Sequence, residues 1–334
     1  MRRYCSAAIV AVVAILVSIA VLAILASIAV VAPASAQTYP DKPIKFIVPF
    51  AAGSATDTLA RVLGEQIGKA QGWQVVIENT AGANGTIAGR AVARAAPDGY
   101  TVLIGTNTTH AAAHSLMKSV PYDQVADFEH LTRLGSITLA LVVHPSVPAK
   151  TVAELVAYSK ANPGTLTFGS GSSSSRLAGE MLKAMTGLDV RHVAYRSNPL
   201  AMQDLLGGHI SMMFADVATT LPQVKDGKVT GIGVSSAKRT ALAPDLPTMQ
   251  ESGVQGYELT AWFAAWGPAG VPAPVLEKLR SALVAAANDK ATQEKLLAVG
   301  IEPETSTSAE LKAHVTSETK KWAEIVKAAG IQPE

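Results

Sequence analysis

Residues 7–31 are apolar apart from Ser18 and Ser27, follow Arg2 and Arg3, and lead to Ala34-Ser35-Ala36. A basic start, an apolar core and an A-x-A end predict a secretory leader over residues 1–36, removed on export. The apolar run is also long enough to span a bilayer, so an uncleaved, membrane-tethered form is the alternative. Beyond it, short β-rich runs alternate with helical spacing. Residues 44–48, 74–78 and 100–104 read as strands. Between them, 55–69 puts Leu59, Leu63 and Ile67 on one helical face, and 85–96 is an Ala-rich helix stopped by Pro97-Asp98-Gly99. Strand–helix alternation of this kind predicts a parallel sheet with right-handed crossovers.

The rhythm resumes with strands at 139–143, 166–169, 190–194, 210–214 and 228–235. A capping box at Thr151-x-x-Glu154 opens a helix that runs to Ala161, and 177–185 and 199–206 are helical. After 262–268 the chain is mostly helical, at 274–288, 291–299 and 308–329. The expected architecture is α/β with two lobes, residues 38–138 plus 262–334 and residues 139–261, joined by two crossings that act as a hinge. Ligands bind where strand carboxyl ends face a crevice and between domains, which places the cleft between the lobes. Trp262 and Trp266 could flank the hinge or line the cleft, with core packing as the default expectation.

Charge alters this picture only by exclusion. The chain has 28 basic and 26 acidic residues, and the leader holds two of the basic ones and none of the acidic. Without it the balance is neutral, leaving no basic footprint for nucleic acid. The one cysteine is Cys5, inside the leader, so no disulfide or thiol chemistry is expected of the mature chain. A domain this size buries enough surface to need no such staple.

Candidate chemistry lies in the loops after strands. PFAAGSATD (49–57), NTAGANGT (79–86), GTNTTH (105–110) and GSGSSSSR (169–176) are small and polar, and three of them open helices. Backbone N–H groups and the helix dipole at such turns favour an anion. Each loop alone is also ordinary βα-turn chemistry; their recurrence at one topological end argues for a site. Its expected residues are Phe50, Ala51, Ser54 and Asp57; Ala83, Asn84, Gly85 and Thr86; Thr106 and Asn107; and Ser170, Ser172, Ser173 and Ser174. Arg176 and Arg196 could each offer a carboxylate the planar fork of a guanidinium or lie solvated at the surface; Asp57 and Asp216 could be buried polar anchors, and Asp57 equally a first-turn acid offsetting the helix dipole. No G-x-G-x-x-G or P-loop lysine is present, HAAAH at 110–114 lacks the Glu of a zinc helix, and no G-x-S-x-G elbow surrounds the serine run. No metal, cofactor or catalysis is therefore expected.

The sequence resembles the Bug-type substrate-binding proteins of tripartite tricarboxylate transporters. The resemblance runs through YPDKPIKFIVPF (39–50), VVIEN (75–79), AAPDGYT (95–101), ANPG (161–164), HVAY (192–195), DLLGG (204–208) and PAGVP (268–272). It implies a periplasmic Venus-flytrap protein of the type II-like binding-protein fold without catalytic activity. It also implies a small carboxylate ligand held by 50–57 and 82–86 with 170–176 opposite, a two-subunit membrane permease as partner, and a monomer. A periplasmic sensor serving a signalling receptor would share this fold, and an exported serine hydrolase using Ser172–Ser175 is the alternative from another class. Ser54, Asn84 and Arg176 depart from the family's usual residues. All three form hydrogen bonds, and Arg176 is expected to read a second polar or anionic group of the ligand.

Overall fold

The first strand, β1 (Ile44–Val48), buries Ile44, Phe46, Ile47 and Val48. It lies between β2 (Val75–Asn79) and β3 (Thr101–Thr106), parallel to both. Helix α1 (Ala55–Gln71) packs on β2 through Leu59, Leu63 and Ile67, as its spacing predicts. Ser54 caps it by accepting from the Asp57 N–H, and Gly72 closes it in the left-handed conformation at φ 69°. The expected parallel sheet holds for these three strands, after which the pairing becomes antiparallel. Beyond β3 come β4 (Phe128–Val143) and β9 (Thr260–Pro268), and the order β2-β1-β3-β9-β4 places β9 antiparallel to both neighbours.

Two short elements follow β2 and β3. Helix α2 is Thr86–Ala93, and a π-helical turn at Thr108–Ala112 runs into α3 (Ala113–Leu116). The second half of the fold holds α4 (Val152–Ala161), β5 (Thr167–Ser170), α5 (Ser173–Thr186), β6 (Arg191–Ala194), α6 (Asn198–Leu206), β7 (Met212–Asp216), α7 (Val217–Lys225) and β8 (Thr230–Val234). Thr151 caps α4 through the Glu154 N–H as expected, but the Glu154 carboxylate takes the Lys150 N–H instead of closing the box on Thr151. The last elements are α8 (Ala273–Asn288), α9 (Lys290–Ala298), β10 (Ile301–Glu302) and α10 (Ser308–Ala328).

This computed structural model describes residues 14, 16–19 and 39–333; the predicted leader, its cleavage site and Cys5 lie almost wholly outside the described residues. Residues 14 and 16–19 are helical. From Lys42 onward the chain forms one contact unit. Among the described residues no helix is long and apolar enough to cross a membrane.

Strand β4 belongs to both halves. Its residues Phe128 to Thr138 pair with β9, whereas Leu139 to Val143 pair with β7 on one side and Ala140 to Val143 with β8 on the other. Parallel β7, β5 and β6 then extend the second sheet. Two register shifts, at His130/Thr132 and Arg133/Gly135, bend β4 before the partner change. At the second of them Gly135 stands at φ 142°, and a Cβ there would come within 2.5 Å of the Glu302 carbonyl oxygen. Only glycine lets β10 lie this close.

Ser235, fully buried just after β8, ties the two connections between the halves together. Its hydroxyl accepts the Leu139 N–H at 3.1 Å and donates to the Leu259 carbonyl at 2.6 Å. Its backbone also donates to Leu139 and accepts from Leu259. Ser235→Ala is expected to cost about 1–2 kcal/mol by stranding a buried N–H and a buried carbonyl, measured by chemical denaturation.

Both tryptophans of β9 are buried, and alternation sends their neighbours the other way. Trp266 stacks on His110 at 3.7 Å. Trp262 donates to Glu318 on α10 at 2.9 Å, and Trp322 donates to the same carboxylate at 3.0 Å, tying the C-terminal helix to the first sheet.

Candidate ligand-binding cleft

The turns after β1, β3 and β5 meet the starts of α6 and α7 around one small cavity. From the first sheet's side come Phe50, Ser54 and Thr56, then Thr106, Asn107 and Thr108. From the second come Gly171, Ser172 and Ser174, then Asn198 and Asp216. Ala261 and Phe263 of β9, on the face opposite Trp262, complete it. The space is about 20 Å³, enough for about one water and far below the ~300–1,000 Å³ of ordinary small-molecule pockets. The two sides are closed on each other. Asn107 Nδ2 donates to Ser174 Oγ at 2.8 Å and its Oδ1 accepts from the Trp262 N–H at 3.3 Å, while the Ser173 N–H donates to Thr108 Oγ1 at 3.2 Å.

The first turn is held from behind by Asp57. Its carboxylate accepts from the Gly53 N–H at 2.9 Å, from Arg61 Nε at 3.0 Å and from Asn79 Nδ2 at 2.9 Å. Asn79 also donates to the Phe50 carbonyl at 3.0 Å, which anchors the turn on the end of β2. Burial pushes the Asp57 carboxyl up, but Arg61, the Gly53 N–H and Asn79 together outweigh it and hold it below the usual carboxylate range. With the turn fixed, α1 presents its start to the cavity. A helix leaves its first N–H groups without carbonyl partners, and only that of Asp57 is taken by the cap Ser54. The Ala55 and Thr56 N–H groups, the helix dipole and the Ser54 and Thr56 hydroxyls therefore suit an anion.

The opposite wall is a relay. The Gly171 N–H donates to Asn198 Oδ1 at 3.0 Å, and Asn198 Nδ2 donates to Asp216 Oδ2 at 3.3 Å. Gly171 is required by proximity: a Cβ there would fall 1.9 Å from the Ser197 carbonyl carbon and 2.1 Å from the Asn198 nitrogen. Burial pushes the Asp216 carboxyl up to about 6, against the pull of the Asn198 amide.

The cavity thus gathers Phe50, Ser54, Thr106, Asn107, Ser172, Ser174 and Asp216 from the expected set. Asp57 and Ser173 stand one layer behind it. Ala83, Asn84, Gly85 and Thr86 lie beside the wall but do not line it. A Cβ on Gly85 would come 2.7 Å from Thr109 Cγ2 and 2.9 Å from Pro49 Cβ, so the three turns of the first sheet are packed together. Ala51 lies in the first turn without facing the cavity, and Ser170 Oγ sits 2.7 Å from His192 Nε2 away from it. Arg196 is exposed. Arg176 is buried in α5 and faces a separate groove with Glu180, Lys183 and residues 329–333. Sequence reasoning passed over Thr56, Thr108, Gly171, Asn198, Ala261 and Phe263. The alternating wall of β9 was hidden because 262–268 was not read as a strand.

Residues 59–331 match the family described as "Tripartite tricarboxylate transporter family receptor". The Bordetella pertussis protein BugT is 32% identical over 302 residues, covering 90% of this chain and 93% of its own length. Among solved structures, the R. palustris protein Rpa4515 with adipate shares 31% identity with a TM-score of 0.86, covering 89% of this chain and all of that one. The periplasmic binding protein BugD shares 35% identity with a TM-score of 0.85, at the same coverage.

Proposed function

Because the chain belongs to the tripartite tricarboxylate transporter receptor family, we propose that it captures a small carboxylate-bearing solute in the periplasm and presents it, as a monomer, to a two-subunit membrane permease. The observation that carries this reading is the anion-suited start of α1, set against polar groups of the opposite sheet and closed over by direct hydrogen bonds such as Asn107 to Ser174. The ligand carboxylate sits at Ala55 and Thr56, and the Ser172–Ser174 turn closes over the other end. A ligand needs far more room than the closed cavity offers, so capture proceeds by hinge motion. The lobes of that motion are residues 38–138 with 262–334 and residues 139–261. The partner change of β4 between Thr138 and Leu139 supports this division. Catalysis has little support: the lining serines have no histidine among the other lining residues to serve as base.

Thermal-shift screening of carboxylic acids tests the reading. A specific ligand at a hundred times its dissociation constant adds about 2.7 kcal/mol of stability, a rise of several degrees in melting temperature, whereas a flat response across mono-, di- and tricarboxylates would count against it.

A further inference from the structure

We propose that Asp216 makes this binding protein select a carboxylate that also carries a protonated amine, with the ligand's carboxylate at the start of α1 and its ammonium against Asp216. The inference rests on the carboxylate-binding reading above and narrows it.

Charge around the cavity is lopsided. Asp216 is the single ionisable side chain among the lining residues; every other contribution, from the turns after β1, β3 and β5, from α6 and from β9, is a hydroxyl, an amide, an aromatic ring or an aliphatic group. No arginine or lysine lines the cavity: Arg61 is paired with Asp57 at 3.0 Å, Arg176 faces the other groove, and Arg196 is exposed. A dicarboxylate stretched across the cavity would therefore bring its second carboxylate to Asp216 with no cation between them, and like charges at close range disfavour each other strongly when water is excluded.

Asp216 is also fixed in position. It ends β7 and begins α7. One of its oxygens receives the Asn198 amide, whose own oxygen is held by the Gly171 N–H. An oriented, partly buried carboxylate with no cation among the other lining residues is suited to accept from an N⁺–H donor, and charge-assisted bonds of this kind are among the strongest available to a binding site. The protein then supplies opposite fields at the two ends of the cavity: partial positive charge at the start of α1 and a full negative charge at Asp216. A ligand with both charges matches both.

The experiment is isothermal titration calorimetry with acids matched in chain length from four to six carbons: the α,ω-dicarboxylate, the ω-amino acid and the α-amino dicarboxylate. It is run on the whole mature protein and on Asp216→Asn. Wild type is expected to bind an amine-bearing acid at least tenfold more tightly than the dicarboxylate of equal length, and Asp216→Asn to shrink that ratio at least tenfold. The variant is nearly isosteric and removes a partly buried, desolvated charge, so it should melt at or above the wild-type temperature at pH 7. Tighter binding of dicarboxylates to wild type, or an unchanged ratio in the variant, overturns the proposal and leaves the carboxylate reading standing. If neither class binds, that reading itself fails and takes this one with it.

A second readout needs no variant. Titrations of wild type at pH 6 in two buffers of different ionisation enthalpy report proton exchange. An ammonium drives Asp216 to ionise and releases protons; proton uptake on binding the amine-bearing acid would overturn the assignment.

Discussion

Gly171→Ala is expected to destabilise the protein by about 4 kcal/mol and to abolish ligand binding. The reason is the closeness of two backbones. The added methyl would sit 1.9 Å from the Ser197 carbonyl carbon, 2.1 Å from the Asn198 nitrogen and 2.3 Å from the Ser197 oxygen. No side-chain rotation relieves contacts with a main chain, so either the β5–α5 turn or the start of α6 must move by more than an ångström. Movement of α6 carries Asn198 away from the Gly171 N–H, and with it the support of Asp216. Gly187 is the internal control. It stands at φ 69° with nothing within 4 Å of its would-be Cβ, so Gly187→Ala incurs only backbone strain of about 1 kcal/mol. Paired urea denaturation curves of the two variants, with ligand titrations on each, separate steric intrusion from general loss of a glycine.

The second large effect is expected from Asp57→Ala. Three donors converge on this carboxylate: the Gly53 N–H, Arg61 and Asn79. Arg61 is half exposed and finds water when its partner is removed, so the loss falls on the Gly53 N–H and the Asn79 amide. About 2–3 kcal/mol is expected from leaving them unsatisfied. Binding should weaken at least tenfold, because the turn that starts α1 loses its anchor. The pH dependence has a defined sign. The folded-state carboxyl is held below its ordinary value. Its contribution is therefore present above the unfolded value near 3.9, and is lost as pH falls through the depressed folded value. Wild type should lose stability on the acid side where Asp57→Ala, already lacking the contribution, loses less; denaturation at pH 7 and pH 3 measures the difference. Asp216 runs the other way. Its raised carboxyl favours the folded state most below the unfolded value, and that advantage fades as pH rises through about 6.

Much of this was legible in the sequence because α1 and the first three strands have unbroken periods. Leu59, Leu63 and Ile67 mark their helix, and the β1 run is buried as its apolar content predicts. The first part of β4 was not legible, because two bulges and the charged residues Glu129 and Arg133 break the two-residue alternation. Strand β9 was hidden for the opposite reason. It is buried on both faces, so it has no polar alternation to detect. Helix α7 was disguised by Pro222 in its interior. At the site, glycine- and serine-rich turns gave away their loops but not their facing residues. The serine run was read as a loop through Arg176, whereas α5 begins at Ser173. A helix turns about 100° per residue, so with Ser174 at the cavity, Arg176 points to the far side. Asn198 and Phe263 reach the site only through tertiary placement, which no local pattern records.

The position of β9 in the finished sheet has a consequence for how the molecule comes into being. It is inserted between β3 and β4, yet it is made more than a hundred residues after either of them. Until it arrives, both neighbours have an unpaired edge open to other chains, and closing so long a loop is slow. A nascent chain that stops short of Thr260 cannot seal its first sheet, so the last fifth of the polypeptide acts as a keystone that decides when folding can finish. Late completion of this kind means that the ligand cleft, whose wall includes Ala261 and Phe263 of β9, is the last part of the molecule to form.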